Sequence, residues 1–178
     1  MKTIKLVVAG FGGQGILTIG QLVALMAMKK GYAVSWLPSY GPEMRGGTAN
    51  CHVVVDESEV GSPIIVNQIT HLVAMNQPAL EKFLPKCAAD AIIRHLALTQ
   101  TPLLNEMQKD VPFDFSQCAI DFGNLKVLNM AAFGVLLKYL EAFSLEDGLA
   151  AIHEKIGKQH QDLLMLDDAI CKSAYESK

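Results

Sequence analysis

The first forty residues alternate between apolar runs and structure breakers in a readable order. IKLVVA, residues 4 to 9, is a short β-rich run closed by Gly10, which predicts a buried strand. After Gly15, the residues Ile16, Ile19, Leu22, Val23 and Met26 recur at helical spacing and predict a helix ending near Gly31. Tyr32 to Leu37 predicts a second strand, with Pro38 as its stop. The simplest closure of such a strand–helix–strand unit is a right-handed βαβ crossover, and so a parallel sheet.

Further along, PSYGPEMRGG (38–47) reads as a connection rich in Pro and Gly, TANCHVVV (48–55) as a strand, and DESEVGSP as a loop. HLVAM (71–75) is a short strand, and NQPALEKFLP carries a helix with Pro78 near its first turn. AADAIIRHLALT suits helix or strand equally, because its apolar run does not arbitrate, and DVPFDFS is loop-like. NLKVLNMAAFGVLLKYL (124–140) is apolar on most faces and predicts a buried helix. SLEDGLAAIHEKI predicts another, with Ser144 as N-cap and Glu146 and Asp147 in the first turn, where they oppose the positive helix end. A last helix, with its acids and lysines on a solvated face, is expected over roughly 159 to 174. Elements alternating at these lengths favour an α/β layer: a mainly parallel, Rossmann-like sheet with flanking helices and a helical C-terminal portion, in one domain over 1–178.

Composition narrows the function classes. Hydrophobic residues make up 51% and charged residues 19%, which supplies a packed core and argues against disorder. A net charge of -3 gives no electrostatic reason for a nucleic-acid or membrane-surface partner. The run after Met1 and Lys2 is too short for the apolar region of a signal peptide, and no run approaches the length that crosses a bilayer, so a cytoplasmic address is expected. Cys51, Cys87, Cys118 and Cys171 are scattered and read as buried thiols rather than cluster ligands. The five histidines form no HExxH and no zinc set with these cysteines, and no metal is expected in this chain.

Two stretches stand out chemically. GFGGQG (10–15) matches G-x-G-x-x-G, follows a predicted strand and opens a helix, where backbone N–H groups stabilise an anion. Gly12 and Gly13 carry no Cβ to hold a ligand at a distance, and Gly15 allows close helix–strand packing. The second strand ends SWLPS, without the acid that holds a dinucleotide ribose, and no lysine follows the glycines as in a P-loop. Phosphate contact and a purely structural turn both remain open for this loop, as do a ligand contact and a helix cap for Gln14. SYGPEMRGGTANC (39–51) places Glu43 and Arg45 inside a loop shaped by Gly41, Pro42, Gly46 and Gly47. Those charges either pair locally, or Arg45 offers its planar fork to a phosphate, carboxylate or partner backbone. Candidate ligand-binding residues are therefore Gly10, Gly12, Gly13, Gln14, Gly15, Glu43, Arg45, Gly46 and Gly47, with no catalytic residue among them. There is no G-x-S-x-G elbow, and His52 alternates to the opposite strand face from Cys51. A glycine-rich edge without nucleophile, metal set or acid–base pair suggests a subunit whose work other chains complete.

Taken together, GFGGQGILTIGQLVALMAMKKGY, SYGPEMRGGTANCHVVV and GSPII resemble the gamma subunit of the 2-oxoacid:ferredoxin oxidoreductases. The likeness continues through GNLKVLNMAAFGVLL, SLEDGLAAI and the final helix, and so covers nearly the whole chain. It implies a complex that oxidatively decarboxylates a 2-oxoacid on thiamine diphosphate and Mg2+. Electrons leave through [4Fe–4S] clusters to ferredoxin, and the acyl group passes to coenzyme A. The thiamine site and clusters are implied on alpha, beta and delta-type partner subunits, leaving this chain inactive alone and without a cofactor of its own. The SYGPEMRGG wording is similar to the 2-oxoglutarate and branched-chain branches more than to the pyruvate branch, with 2-oxoglutarate favoured. CAADAIIRHLALTQTPLLNEM departs from the family pattern by lacking a glycine turn, while Gly123, Asn124 and Asn129 match its later motif, where helix packing is expected rather than ligand contact.

Overall fold

The computed structural model describes residues 1–40, 48–96, 104–156 and 161–177. In chain order it contains β1 (Ile4–Phe11), α1 (Ile16–Lys29), β2 (Ala33–Tyr40), β3 (Thr48–Asp56), β4 (Ile69–Ala74), α2 (Gln77–Phe83), β5 (Cys87–Leu96), β6 (Lys109–Phe113), α3 (Phe115–Asp121), α4 (Leu128–Leu137), α5 (Leu145–Lys155) and α6 (Gln161–Glu176). The six strands form one sheet in the order β2-β3-β1-β4-β5-β6. β1, β4, β5 and β6 run parallel, while β3 is antiparallel to both β1 and β2. The sheet is thus mainly parallel with flanking helices and a helical C-terminal part, in line with the expected class.

Two features correct the reading of the first forty residues. β1 and β2 do run in the same direction, but they are not hydrogen-bonded neighbours, because β3 inserts between them with Leu6 opposite Val53 and Val53 opposite Trp36. Nor does Pro38 end β2, which continues to Tyr40. The second has a physical reason: β2 is the sheet edge, where a residue without an N–H can leave no ladder bond unmade. The same rule explains Pro112, inside a segment expected to be loop, since β6 is the opposite edge.

β1 is central and buried on both faces, as a continuous apolar run demands. Leu6 and Val8 join one core, and Val7 and Ala9 the other. The larger core lies under α1, α3, α4, α5 and α6, and the smaller under α2 and Ile65. AADAIIRHL resolves as strand β5, because it sits between two parallel neighbours and buries Ala91 and Ile93 on the smaller core. The 124–140 segment begins with a single 3-10 turn at Leu125–Val127, and α4 proper follows with Met130 to Leu137 all buried. At Ser144 the structure forms a full capping box: the hydroxyl accepts from the Asp147 N–H and the Asp147 carboxylate accepts from the Ser144 N–H.

Two helical glycines make opposite predictions. A Cβ on Gly134 meets the backbone carbonyl oxygen of Cys171 inside contact distance and Ala174 Cβ at 3.0 Å, so α4 and α6 touch through their main chains. Replacing a helical glycine by alanine gains about 1 kcal/mol of propensity, whereas overpacking costs about 1–3 kcal/mol when the obstacle cannot move. Gly134→Ala therefore loses stability. At Gly148 the nearest atom is the Leu137 Cδ2 methyl, the far end of a flexible side chain. Gly148→Ala is expected to be neutral or up to about 1 kcal/mol more stable, and denaturant midpoints of the two variants measure the contrast.

Candidate functional site: the glycine edge

The glycine segment sits where β1 gives way to α1, at the carboxyl ends of the parallel strands. β1 carries Gly10 and Phe11 at its end, and α1 starts from Gly15 with φ 71, ψ 19. An ordinary N-cap is extended and is supplied by Ser, Thr, Asp or Asn. Here the cap is left-handed, which only glycine adopts without cost. A Cβ on Gly15 would lie 2.6 Å from the Cβ, Cγ and Nδ2 of Asn129, so α4 closes directly onto the loop. Gly10 is equally confined, with Gln14 Oε1 at 2.5 Å and Met75 Cβ at 3.0 Å from such an added atom. Gly13 is the contrary case: φ is 94 and no described residue stands within 4 Å of its missing side chain.

Gln14 is turned inward. Its Oε1 accepts from the Phe11 N–H at 2.6 Å and its Nε2 donates to the Met75 carbonyl at 3.4 Å, stapling the loop to the end of β4. No side chain among the described residues caps α1, and no acid stands in its first turn. Its leading N–H groups and the positive end of its dipole are therefore available to an anion. They border a cleft of about 270 Å³ lined by Phe11, Gly12, Gly13, Gly15, Ile16, Leu17, Thr18 and Ala49.

The other stretch singled out from sequence, with Glu43, Arg45, Gly46 and Gly47, lies outside the described residues. Its flanks are placed: Phe11 pairs with Thr48 across β1–β3, and Tyr40 pairs with Ala49 across β2–β3. Both ends of that segment thus stand at the same sheet edge as GFGGQG.

Sequence reasoning overlooked several residues here. Thr18 also belongs to a second cleft of about 300 Å³ that contains Lys126, Asn129, Lys155 and the buried Asp167. Two lysine side chains and the Asp167 carboxylate-bearing side chain thus share the wall beyond the start of α1, and only folding brings the lysines there, from a 3-10 turn and from the end of α5. Asn76 follows β4, caps α2 by accepting from the Ala79 N–H at 2.8 Å, and keeps a buried Nδ2 without a hydrogen-bond partner. Its Asn-x-Pro context was the available sign of a helix start. Gly123 and Asn124, by contrast, were singled out from sequence: Asn124 accepts from the Lys126 N–H at 3.0 Å and Gly123 has φ 75, so this pair shapes the entry to α4.

Thiol chemistry is suppressed at this edge. Burial pushes Cys51 up to about 12, and its Sγ–H donates to the Ile16 carbonyl. Burial likewise raises Cys87 and Cys171 to about 12. Cys51 and His52 face opposite cores: the Cys51 thiol lies in the larger, while the His52 ring meets Phe83 edge-on. Among the described residues no three His, Cys, Asp or Glu side chains stand together as a metal set, and no helix is long and apolar enough to cross a membrane. What the edge can do is bind and orient an anionic group through backbone N–H donors.

The fold defines a class. The structure matches the gamma subunit of a keto/oxoacid ferredoxin oxidoreductase from Geobacter sulfurreducens with a TM-score of 0.82 at 22% identity, over 97% of this chain and 96% of that one. It also matches a 2-oxoglutarate:ferredoxin oxidoreductase from Magnetococcus marinus, solved with 2-oxoglutarate, coenzyme A and succinyl-CoA bound, with a TM-score of 0.86 at 21% identity, over 99% of this chain and 31% of that one. At these identities the likeness is one of fold.

Sequence gives the family. The profile of the pyruvate ferredoxin/flavodoxin oxidoreductase family matches residues 5–176, and the chain belongs to that family. Among curated relatives, it is 35% identical to the ketoisovalerate oxidoreductase subunit VorA of Methanothermobacter marburgensis over 136 residues, which is 76% of this chain but 28% of VorA. It is 27% identical to the 2-oxoglutarate synthase subunit KorC of Archaeoglobus fulgidus over 140 residues, 78% of this chain and 72% of KorC. The chain therefore spans little more than a quarter of the length of VorA and most of the length of KorC.

Proposed function

We propose that this chain is the gamma-type component of a 2-oxoacid:ferredoxin oxidoreductase, and that its glycine edge helps shape the coenzyme A site beside the subunit interface. The complex would decarboxylate 2-oxoglutarate or a branched-chain 2-oxoacid and pass the acyl group to coenzyme A. Thiamine diphosphate, Mg2+ and [4Fe–4S] clusters belong, in this reading, to alpha, beta and delta-type partners that deliver electrons to ferredoxin. The similarity to KorC supports the 2-oxoglutarate reading, and the similarity to VorA puts a branched-chain substrate beside it.

The observation that carries the coenzyme A role is the start of α1, uncapped among the described residues, beside Gly13, with Thr18 lining both this cleft and the one that Lys126 and Lys155 line. A pyrophosphate suits the first position through backbone N–H groups. A further phosphate suits the two ammonium groups, and no ribose-binding acid is required. In this arrangement the chain holds and orients coenzyme A and performs no proton or electron transfer itself.

Because no described residue surrounds the missing Gly13 side chain, a substitution there tests binding with little disturbance of the described packing. Asn tolerates positive φ best among the other residues. In the purified complex, Gly13→Asn is expected to raise the coenzyme A KM about tenfold, equivalent to roughly 1.4 kcal/mol of lost binding, with the 2-oxoacid KM unchanged. Normal coenzyme A kinetics in a complex that assembles poorly would support instead a scaffold that touches no ligand. Activity of the affinity-purified complex on a panel of 2-oxoacids, assayed under anaerobic conditions, names the substrate.

A further inference from the structure

Two strands from β1, level with Val8 and Val73, β5 buries a cation. Arg94 is 0% exposed, and none of its Nε, Nη1 and Nη2 atoms has a hydrogen-bond partner. Its guanidinium carbon lies 4.6 Å from the centroid of the Tyr139 ring, and the Lys109 ammonium lies 4.4 Å from the same centroid. Two cations therefore share one aromatic ring, and no carboxylate among the described residues pairs with either. Burial draws the Arg94 pKa down to about 9, which leaves the group charged at neutral pH. Cation–π contact returns only a small part of what burying a guanidinium costs, and buried charges are ordinarily paired.

A cavity of about 200 Å³ meets this cluster at Tyr139, whose ring stands between it and the two cations; Arg94 and Lys109 do not line it themselves. Ile92 lines it and precedes Arg94 by two positions on the same face of β5. His71, opposite Ile92 on β4, lines it as well. So does Tyr139, which carries the guanidinium on its ring. Thr3 and Thr70 add hydroxyl-bearing side chains to the wall, and Lys2, Asp90 and Glu141 complete its charged rim. Lys2 already neutralises Asp90.

We propose that Arg94, assisted by Lys109, anchors a carboxylate-binding site reached through this cavity, with Tyr139 as the side chain that yields to admit the ligand. The guanidinium fork matches a planar carboxylate in bidentate fashion. The cavity has room for a group the size of several waters. Glu141 at its rim, which unlike Asp90 has no ion pair among the described residues, disfavours a dianion such as phosphate. The carboxylate comes either from a small free acid or from an Asp or Glu side chain of a partner subunit. This site stands apart from the coenzyme A reading, and neither depends on the other.

The test is a titration of the full chain with sodium acetate, against sodium chloride at equal ionic strength, following the Arg94 Nε–H resonance by NMR. Acetate is expected to shift that resonance saturably and to raise the thermal midpoint, chloride to do neither. Arg94→Met is expected to fold at least as stably, since it removes an unpaired buried charge, and to lose the acetate response. The resonance titration on the wild-type chain stands even where that variant fails to fold. In the assembled complex, a map with a partner's Asp or Glu on the Arg94 fork assigns the carboxylate to the partner, and acetate-sized density assigns it to a free acid. Acetate and chloride acting alike, together with water alone beside Arg94 in the complex, overturns the proposal.

Discussion

Gly15→Ala is expected to lose about 2–5 kcal/mol of unfolding free energy, combining roughly 1–2 kcal/mol for a left-handed non-glycine residue with about 1–3 kcal/mol for overpacking. The backbone part follows from φ 71 at the start of α1. The packing part follows from Asn129, whose Cβ itself, not only its amide, lies 2.6 Å from the added atom. A Cβ cannot swing aside, so α4 must shift as a body or the loop must open. Shortening the Asn129 side chain to alanine therefore recovers little, because the obstructing Cβ remains. Gly13→Ala, with no described residue around it, pays only the backbone part. Equilibrium denaturation of the three variants decides the matter: equal losses at Gly13 and Gly15 would mean that α4 does not close onto the loop.

The second large effect is a loss of stability in acid. His71 on β4 has its pKa lowered from 6.5 to about 4, chiefly by burial and next by the Arg94 charge, with the nearby Lys2 also lowering it and Asp90 opposing. Its Nε2 bonds to the Tyr139 carbonyl and its Nδ1 to the Thr70 hydroxyl. As pH falls below 6.5 the unfolded histidine takes up a proton that the folded one refuses, so the unfolded state binds more protons and stability falls with pH. The window closes near pH 4, where the folded group titrates too. At about 1.4 kcal/mol per pH unit the loss approaches roughly 3 kcal/mol between those limits. His52, lowered by burial and by Lys86 and Lys82, acts in the same direction. Unfolding free energies at neutral and mildly acidic pH measure the effect, and His71→Gln is expected to flatten most of it. A His71→Gln profile as steep as the wild-type one would assign the acid sensitivity elsewhere.

These effects show which parts of the molecule local sequence governs. The strand before GFGGQG, the helix after it, the Ser144 cap and the buried character of α4 are decided by spacing, capping chemistry and apolar runs within a few residues. The helical starts at Asn76 and Ser144 carry their own hydrogen-bond acceptors. The family likeness was legible for a similar reason: it rests on two short glycine-bearing stretches, and in the first, Gly13 and Gly15 take positive φ that few other residues supply. For the candidate site, the position of Gly10 to Gly15 at a strand end was readable, but the direction of Gln14 was not. Its amide turns inward because the Phe11 N–H and the Met75 carbonyl offer partners, and Met75 arrives only with β4.

Sequence by itself determined the element types before residue 88 and after residue 124, the glycine turn and the family, but not β5, β6 or α3 between them. Tertiary structure decided the partners: β3 between β1 and β2, prolines tolerated because β2 and β6 are edges, and an ambiguous apolar segment committed to strand β5 by two parallel neighbours. It also decided the Asn129 contact on Gly15, the lysines beyond α1 and the unpaired Arg94 under Tyr139. The physical reason is range. Propensity, capping and periodicity act over one or two turns of chain, whereas strand order, burial of a charge and convergence of side chains depend on segments far apart in sequence that meet only in the folded core.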